Sequence, residues 1–146
     1  MKLQKNTLFA LYSVLESASH PQRQRSAGQI ARKYGISPHH LAKVLHTLAQ
    51  AGVVESVRGV GGGYRFAGNA KRLTLMDVIE LFENIKAPGR SPAPPRSGAP
   101  RRRRAEAGVE RAVGSVLEEI DEIAKATFRS ISIQTMLKLI ERQRRS

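Results

Sequence analysis

Residues 36–67, ISPHHLAKVLHTLAQAGVVESVRGVGGGYRFA, constrain the fold more than any other stretch. They read as a helix with a defined start and stop, a strand, a glycine-rich turn and a returning strand. Ser37 suits the N-cap and Pro38 the first helical position, where a missing N–H has no partner to lose. Gly52 suits the left-handed residue that follows a helix. Val53, Val54 and Val57 lead into Arg58-Gly59-Val60-Gly61-Gly62-Gly63, and Tyr64-Arg65-Phe66 leads out. Val53 and Val57, or else Val54, point inward by the period of two. Helix, strand, basic turn, strand is the pattern of a winged helix. The predicted class is mainly α with a small β-hairpin wing.

The flanking residues fit this unit. Ser26-Ala27-Gly28-Gln29 has capping-box spacing and starts a short helix whose inner face is Ile30, Ala31 and Tyr34. Gly35 ends it, Ile36 plugs the turn and Ser37 begins the next helix, which makes a helix-turn-helix. Upstream, residues 6–18 read as a helix capped by Asn6 or Thr7, with Leu8, Leu11, Tyr12 and Leu15 as its apolar stripe. The polar stretch SHPQRQR, 19–25, separates the two. Downstream, Thr74-Leu75-Met76-Asp77 starts a helix with Val78, Ile79, Leu81, Phe82 and Ile85 on its apolar side.

Within the second helix of the helix-turn-helix, Leu41, Val44, Leu45 and Leu48 form the buried stripe. His39, Lys43, His46 and Gln50 fall on the opposite side, a neutral-to-positive face suited to a DNA major groove. In the turn, Gly61, Gly62 and Gly63 permit positive φ and close backbone approach, and Arg58 can enter a minor groove or clamp a phosphate. A solvated helix face and a flexible hairpin tip are the plainer alternatives. The glycines are not a nucleotide fingerprint: a G-x-G-x-x-G from Gly59 would need glycine where Tyr64 stands, and no Lys-Ser/Thr pair follows.

Residues 86–104 hold five prolines, seven basic residues and no acid, and read as a flexible linker without helix or strand. Arg101, Arg102, Arg103 and Arg104 are candidates for non-specific phosphate contacts. From residue 106 a long helical pattern follows. Val109, Val113, Val116, Ile120 and Ile123 recur in steps of four and three, a coiled-coil seam for a dimer or for packing on the chain's own head. A last short helix carries Ile133, Met136, Leu137 and Ile140. The expected organisation is a winged helix-turn-helix DNA-binding domain over 1–85, a Pro/Arg-rich linker over 86–105 and a helical dimerisation region over 106–146.

Charge points the same way. Twenty-five Lys and Arg against twelve acids give a formal +13 in 146 residues, which favours a polyanionic partner, nucleic acid before an anionic membrane. There is no cysteine, so no disulfide, thiolate metal site or iron–sulfur cluster can form within the chain. His39 and His46 lie roughly 10 Å apart along a helix, too far to share one zinc ion. No nucleophile elbow or catalytic carboxylate pair is recognisable, and no enzyme is expected. Met1-Lys2 opens no signal peptide and no apolar run approaches a bilayer span, so the expected location is the cytoplasm, with no membrane partner.

The segments LQKNTLFALYSVL, SAGQIARKYGISPHHLAKVLHTLAQAGVVESVRGVGGGYRFA and LTLMDVIELFE closely resemble the bacterial Rrf-type (IscR/NsrR-like) winged-helix regulators. Residues 48–64 are the most specific part. The resemblance covers about 2–85, and resumes weakly in the long helix and ISIQTML. It implies a homodimeric transcriptional regulator, a repressor by occlusion, on a roughly palindromic double-stranded DNA operator. It also implies that Ser37, His39, His40 and Lys43 approach the major groove and backbone, and that Arg58, Gly59, Gly61, Gly62 and Tyr64 form the wing contact at the minor groove.

The better-known members carry three cluster-binding cysteines between the fourth helix and the dimer helix. Here that stretch is the cysteine-free linker, and Leu8 stands near an acidic ligand position of some members. The expectation is therefore a member without a cofactor, whose signal is a small molecule, a partner protein or nothing. A winged-helix protein-interaction module, and a non-specific nucleic-acid binder driven by the arginine run, are the alternatives.

Overall fold

The computed structural model describes residues 3–59, 61–83 and 101–146, and only the backbone of 101–104. The chain forms α1 (Lys5–Ser19), α2 (Ala27–Tyr34), α3 (Pro38–Gln50), β1 (Val54–Val57), β2 (Gly63–Phe66), α4 (Leu75–Glu80), α5 (Arg101–Ser130) and α6 (Ile133–Arg145). The linker reading of 86–100 lies outside the described residues. The described residues fall into two compact units, a head that includes 3–59, 61–83 and 128–146, and a second unit that includes 101–127.

Local chemistry sets the ends of the head helices. Ser26 and Gln29 form the expected capping box on α2, and Gly35 closes that helix in the left-handed conformation, φ 65°. Thr74 and Asp77 form a second capping box on α4. Ser37 does occupy the N-cap of α3 with Pro38 behind it, but its hydroxyl makes no capping bond.

The start of α1 differs from expectation. Neither Asn6 nor Thr7 caps it; the carboxylate of Glu83 accepts the Gln4 N–H and the Thr7 hydroxyl, both at 2.7 Å. A distant acid thus replaces the local cap.

The buried face of α1 also differs. Thr7, Ala10, Val14 and Ser17 are buried, with Ser13 and Ala18 beside them. Leu8, Leu11 and Leu15 are only half-buried, and Tyr12 is exposed. Small residues let α1 approach α3, α4, β2 and α6 closely, so the larger apolar stripe is left on its flank. The core beneath is Ile30, Leu41, Val44, Leu45, Leu48, Val54, Met76, Val78 and Ile79. Val54, with Val53, faces inward, while Val57 is half-buried. Helix α4 has only six residues; Leu81 is exposed, and Ile85 lies outside the described residues.

Two corrections concern the C-terminal part. Helix α5 begins at Arg101, inside the stretch expected to be linker. The prolines that argued against helix end at Pro100, and arginine is itself a good helix former. Residues from Phe128 onward, expected within the helical dimerisation region of 106–146, group with the head instead. Ile133 is fully buried there, and Leu75 N–H to Ile131 O (2.9 Å) with Ile133 N–H to Leu73 O (2.8 Å) makes a short antiparallel bridge. Among the described residues no helix is long and apolar enough to cross a membrane.

Candidate nucleic-acid interface

The recognition-helix candidates stand at the surface. Ser37, His39, His40 and Lys43 are exposed along the first turns of α3, and His46 and Gln50 continue the same face. Leu41, Val44, Leu45 and Leu48 are buried behind them. With its hydroxyl unused as a cap, Ser37 has its donor and acceptor open to a partner. Ser37 and His40 border a shallow depression that also includes Lys5, Phe9 and Ile36.

The wing is an antiparallel hairpin pairing Val54 with Phe66, Glu55 with Arg65, Ser56 with Tyr64 and Val57 with Gly63. Glu55 and Arg65 form an ion pair across the strands. The connecting turn carries Arg58 and Gly59 at the surface, with Gly59 at φ 113° and Gly61 at φ 76°. Gly62 N–H bonds Gly59 O at 2.9 Å. A Cβ on Gly62 would collide with the Val57 carbonyl, so the turn closes only around glycine. Gly62 and Tyr64 are half-buried, unlike Arg58, Gly59 and Gly61.

The loop before α2 pins the wing. Arg25 N–H donates to Tyr64 O at 2.9 Å, and Tyr64 N–H donates to Arg25 O at 2.8 Å. This brings Gln22, Arg23, Gln24, Arg25 and Gln29 around Gly61 in one polar depression. Sequence reasoning took 19–25 only as a polar turn. The two arginines interleaved with glutamines, just ahead of a helix start, were the available signal.

Glu16 was also missed. It is the only acid in the first 54 residues, and it is buried at 5% exposure. Its carboxylate accepts from Lys33 Nζ at 2.8 and 3.0 Å and from the Tyr34 hydroxyl at 2.8 Å, with Arg25 at 3.6 Å. Burial works to raise its pKa. The hydrogen bonds from Lys33 and Tyr34 and the charges of Lys33 and Arg25 outweigh that and hold it below the usual carboxylate range. Burial, then the bond to Glu16 and its charge, push Tyr34 up to about 12. Tyr34 also stacks on Tyr12, with centroids 5.3 Å apart. One carboxylate thus joins α1 to the end of α2 and to the loop that holds the wing.

The remaining candidates lie on α5. Arg101–Arg104 form its first turn. Val109, Val113, Val116, Ile120 and Ile123 are 49–67% exposed, and Leu117 widens the stripe at 56%.

Comparison with known proteins identifies the family. The Rrf2 family, described as iron-dependent transcriptional regulators, matches residues 3–139. The HTH-type transcriptional regulator BadM of Rhodopseudomonas palustris is 52% identical over 99% of this chain and 86% of its own length. Among solved structures, T. potens IscR superposes with a TM-score of 0.74 at 23% identity, over 98% of this chain and 90% of that one. Staphylococcus aureus CymR gives 0.70 at 19% identity, over 92% and 96%. These two likenesses concern the fold, a winged helix with a long C-terminal helix.

The iron that the family description implies does not fit the donors of this chain. There is no cysteine, and among the described residues no three His, Cys, Asp or Glu side chains come together. The residues outside the description contain none of these four types. The family's regulators are non-enzymatic DNA-binding proteins. On its matching length, its close relative and its fold, the chain belongs to the Rrf2 family of transcriptional regulators.

Proposed function

We propose that this regulator acts in the cytoplasm as a homodimeric, sequence-specific repressor, without an iron–sulfur cluster. In this reading Ser37, His39, His40 and Lys43 enter the major groove at each half-site. Arg58 and Gly59, with Gly61, Gly62 and Tyr64 as the frame of the wing, meet the adjacent minor groove and backbone. Gln22, Arg23, Gln24 and Gln29, gathered beside Gly61, contact phosphates and fix the register. The observation that carries the reading is the wing turn held by the Arg25–Tyr64 backbone pair in the same head that bares the polar face of α3.

The exposed seam of Val109, Val113, Val116, Ile120 and Ile123 supports dimerisation through α5, because such a stripe is costly to leave in water. Two-fold symmetry then calls for half-sites about one helical turn, roughly 34–36 Å, apart. Arg101–Arg104 add sequence-independent phosphate contacts, each contributing about 0.9 to the salt slope.

A salt titration on a selected duplex and its scrambled counterpart tests this. Tight binding of the first alone is the expected result. Equal affinity for both, with a salt slope insensitive to Arg58→Ala but reduced by deleting 101–104, would instead identify a non-specific binder. No duplex binding at low salt would favour a protein-interaction module.

A further inference from the structure

A cleft of about 340 Å³ opens in the head between α1, α2 and α6. Its apolar walls are Leu15, Ala18, Leu137 and Ile140, and Glu16, Tyr34, His20 and Arg144 stand at its polar side. Leu15, Leu137 and Ile140 are only half-buried, so the walls are apolar surface still open to water. The volume is that of small-molecule pockets, which run from about 300 Å³ upward.

The free charge at the cleft is positive. Glu16 is fully engaged by Lys33, Tyr34 and Arg25. Glu141, the other lining acid, pairs with Arg145 at 2.9 Å. Among the described residues Arg144 and the His20 side chain make no ion pair or side-chain hydrogen bond. A cationic ligand would have to take Glu16 from Lys33 and Arg25. An anionic one finds a guanidinium that no carboxylate among the described residues engages, above an apolar floor.

We propose that this cleft binds a small organic anion with an apolar body, its carboxylate on Arg144 and its body against Leu15, Ala18, Leu137 and Ile140. The site is wired to the reading head. Tyr34 is the last residue of α2, three ahead of Ser37, and its hydroxyl bonds Glu16. Glu16 also faces Arg25, whose backbone holds the wing. An occupant that bonds better to one arrangement of this cluster shifts the balance between arrangements. Binding itself does not depend on the DNA reading proposed above; the coupling does.

The test uses the full chain, labelled with 15N and titrated with hexanoate, octanoate and 3-phenylpropionate, and in parallel with the corresponding amines. The expected result is saturable shifts for at least one acid at amides of residues 15–20, 34 and 137–144, none for its amine, and a loss of affinity of about tenfold in Arg144→Gln. Arg144 is exposed on the last turn of α6, so this variant keeps the fold. No saturable acid binding, equal binding of the amine, or unchanged affinity in Arg144→Gln would overturn the site. Operator titrations with and without the bound acid then read the coupling, expected as a several-fold change in duplex affinity. Unchanged duplex affinity overturns the coupling alone, and acid binding without any duplex binding overturns the DNA reading and the coupling together.

Discussion

Arg25 and Tyr64 exchange backbone hydrogen bonds in both directions, at 2.9 and 2.8 Å, and so tie the wing to the loop that starts the helix-turn-helix. The approach is this close because position 63 has no side chain. A Cβ on Gly63 would meet the Arg25 carbonyl and the Ser26 nitrogen. Gly63→Ala is therefore expected to open the bridge, destabilise the head by roughly 1–3 kcal/mol and speed amide exchange at Tyr64. Unchanged protection at Tyr64 would contradict this account of the wing.

Arg58→Ala is expected to weaken binding to a selected duplex by about 1–3 kcal/mol, with much less effect on a scrambled one. Fluorescence anisotropy at fixed salt measures both. An equal loss on the two duplexes would make Arg58 a phosphate contact without sequence preference.

The Glu16 cluster makes stability depend on pH at both ends. Because the folded-state pKa of Glu16 lies below its ordinary value of 4.5, its contribution is complete above that value and is lost as pH falls through the depressed one. Tyr34 works oppositely: its contribution is present below its ordinary value of 10 and is lost as pH rises through about 12. Glu16→Gln should cost about 1–3 kcal/mol at neutral pH and flatten the acid side of the stability profile, as read by urea melts across pH. An acid limb as steep as that of the parent chain would rule Glu16 out as its source.

The α5 seam predicts an assembly. Val113→Glu combined with Ile120→Glu should convert a dimer into a monomer in sedimentation velocity, with helical content of the head retained. The same sedimentation coefficient for parent and variant would exclude this seam as the dimer contact.

Much of the head was legible because its signals are local. The capping boxes at Ser26–Gln29 and Thr74–Asp77, the left-handed Gly35 and the glycine turn of the wing each depend on residues a few positions apart. The family pattern in residues 48–64 rests on the same local features. What the sequence hid was long-range. Glu83 capping α1, the Arg25–Tyr64 bridge and the Thr74–Ser132 bridge join residues that no periodicity relates. Periodicity also misled at α1, since it favours the large residues Leu8, Leu11, Tyr12 and Leu15, whereas close helix approach selected Thr7, Ala10, Val14 and Ser17. At the other end, the proline count obscured that helix can start at Arg101.

Selection of duplexes from a random pool by this 146-residue chain, followed by titration of the recovered duplex against its scrambled counterpart, tests the central claim most directly. The account predicts a motif with two inverted half-sites about one helical turn apart, bound far more tightly than the scrambled sequence, and lost on replacing Lys43 and Arg58 by alanine. Recovery of no common motif, with both duplexes bound equally, would contradict it.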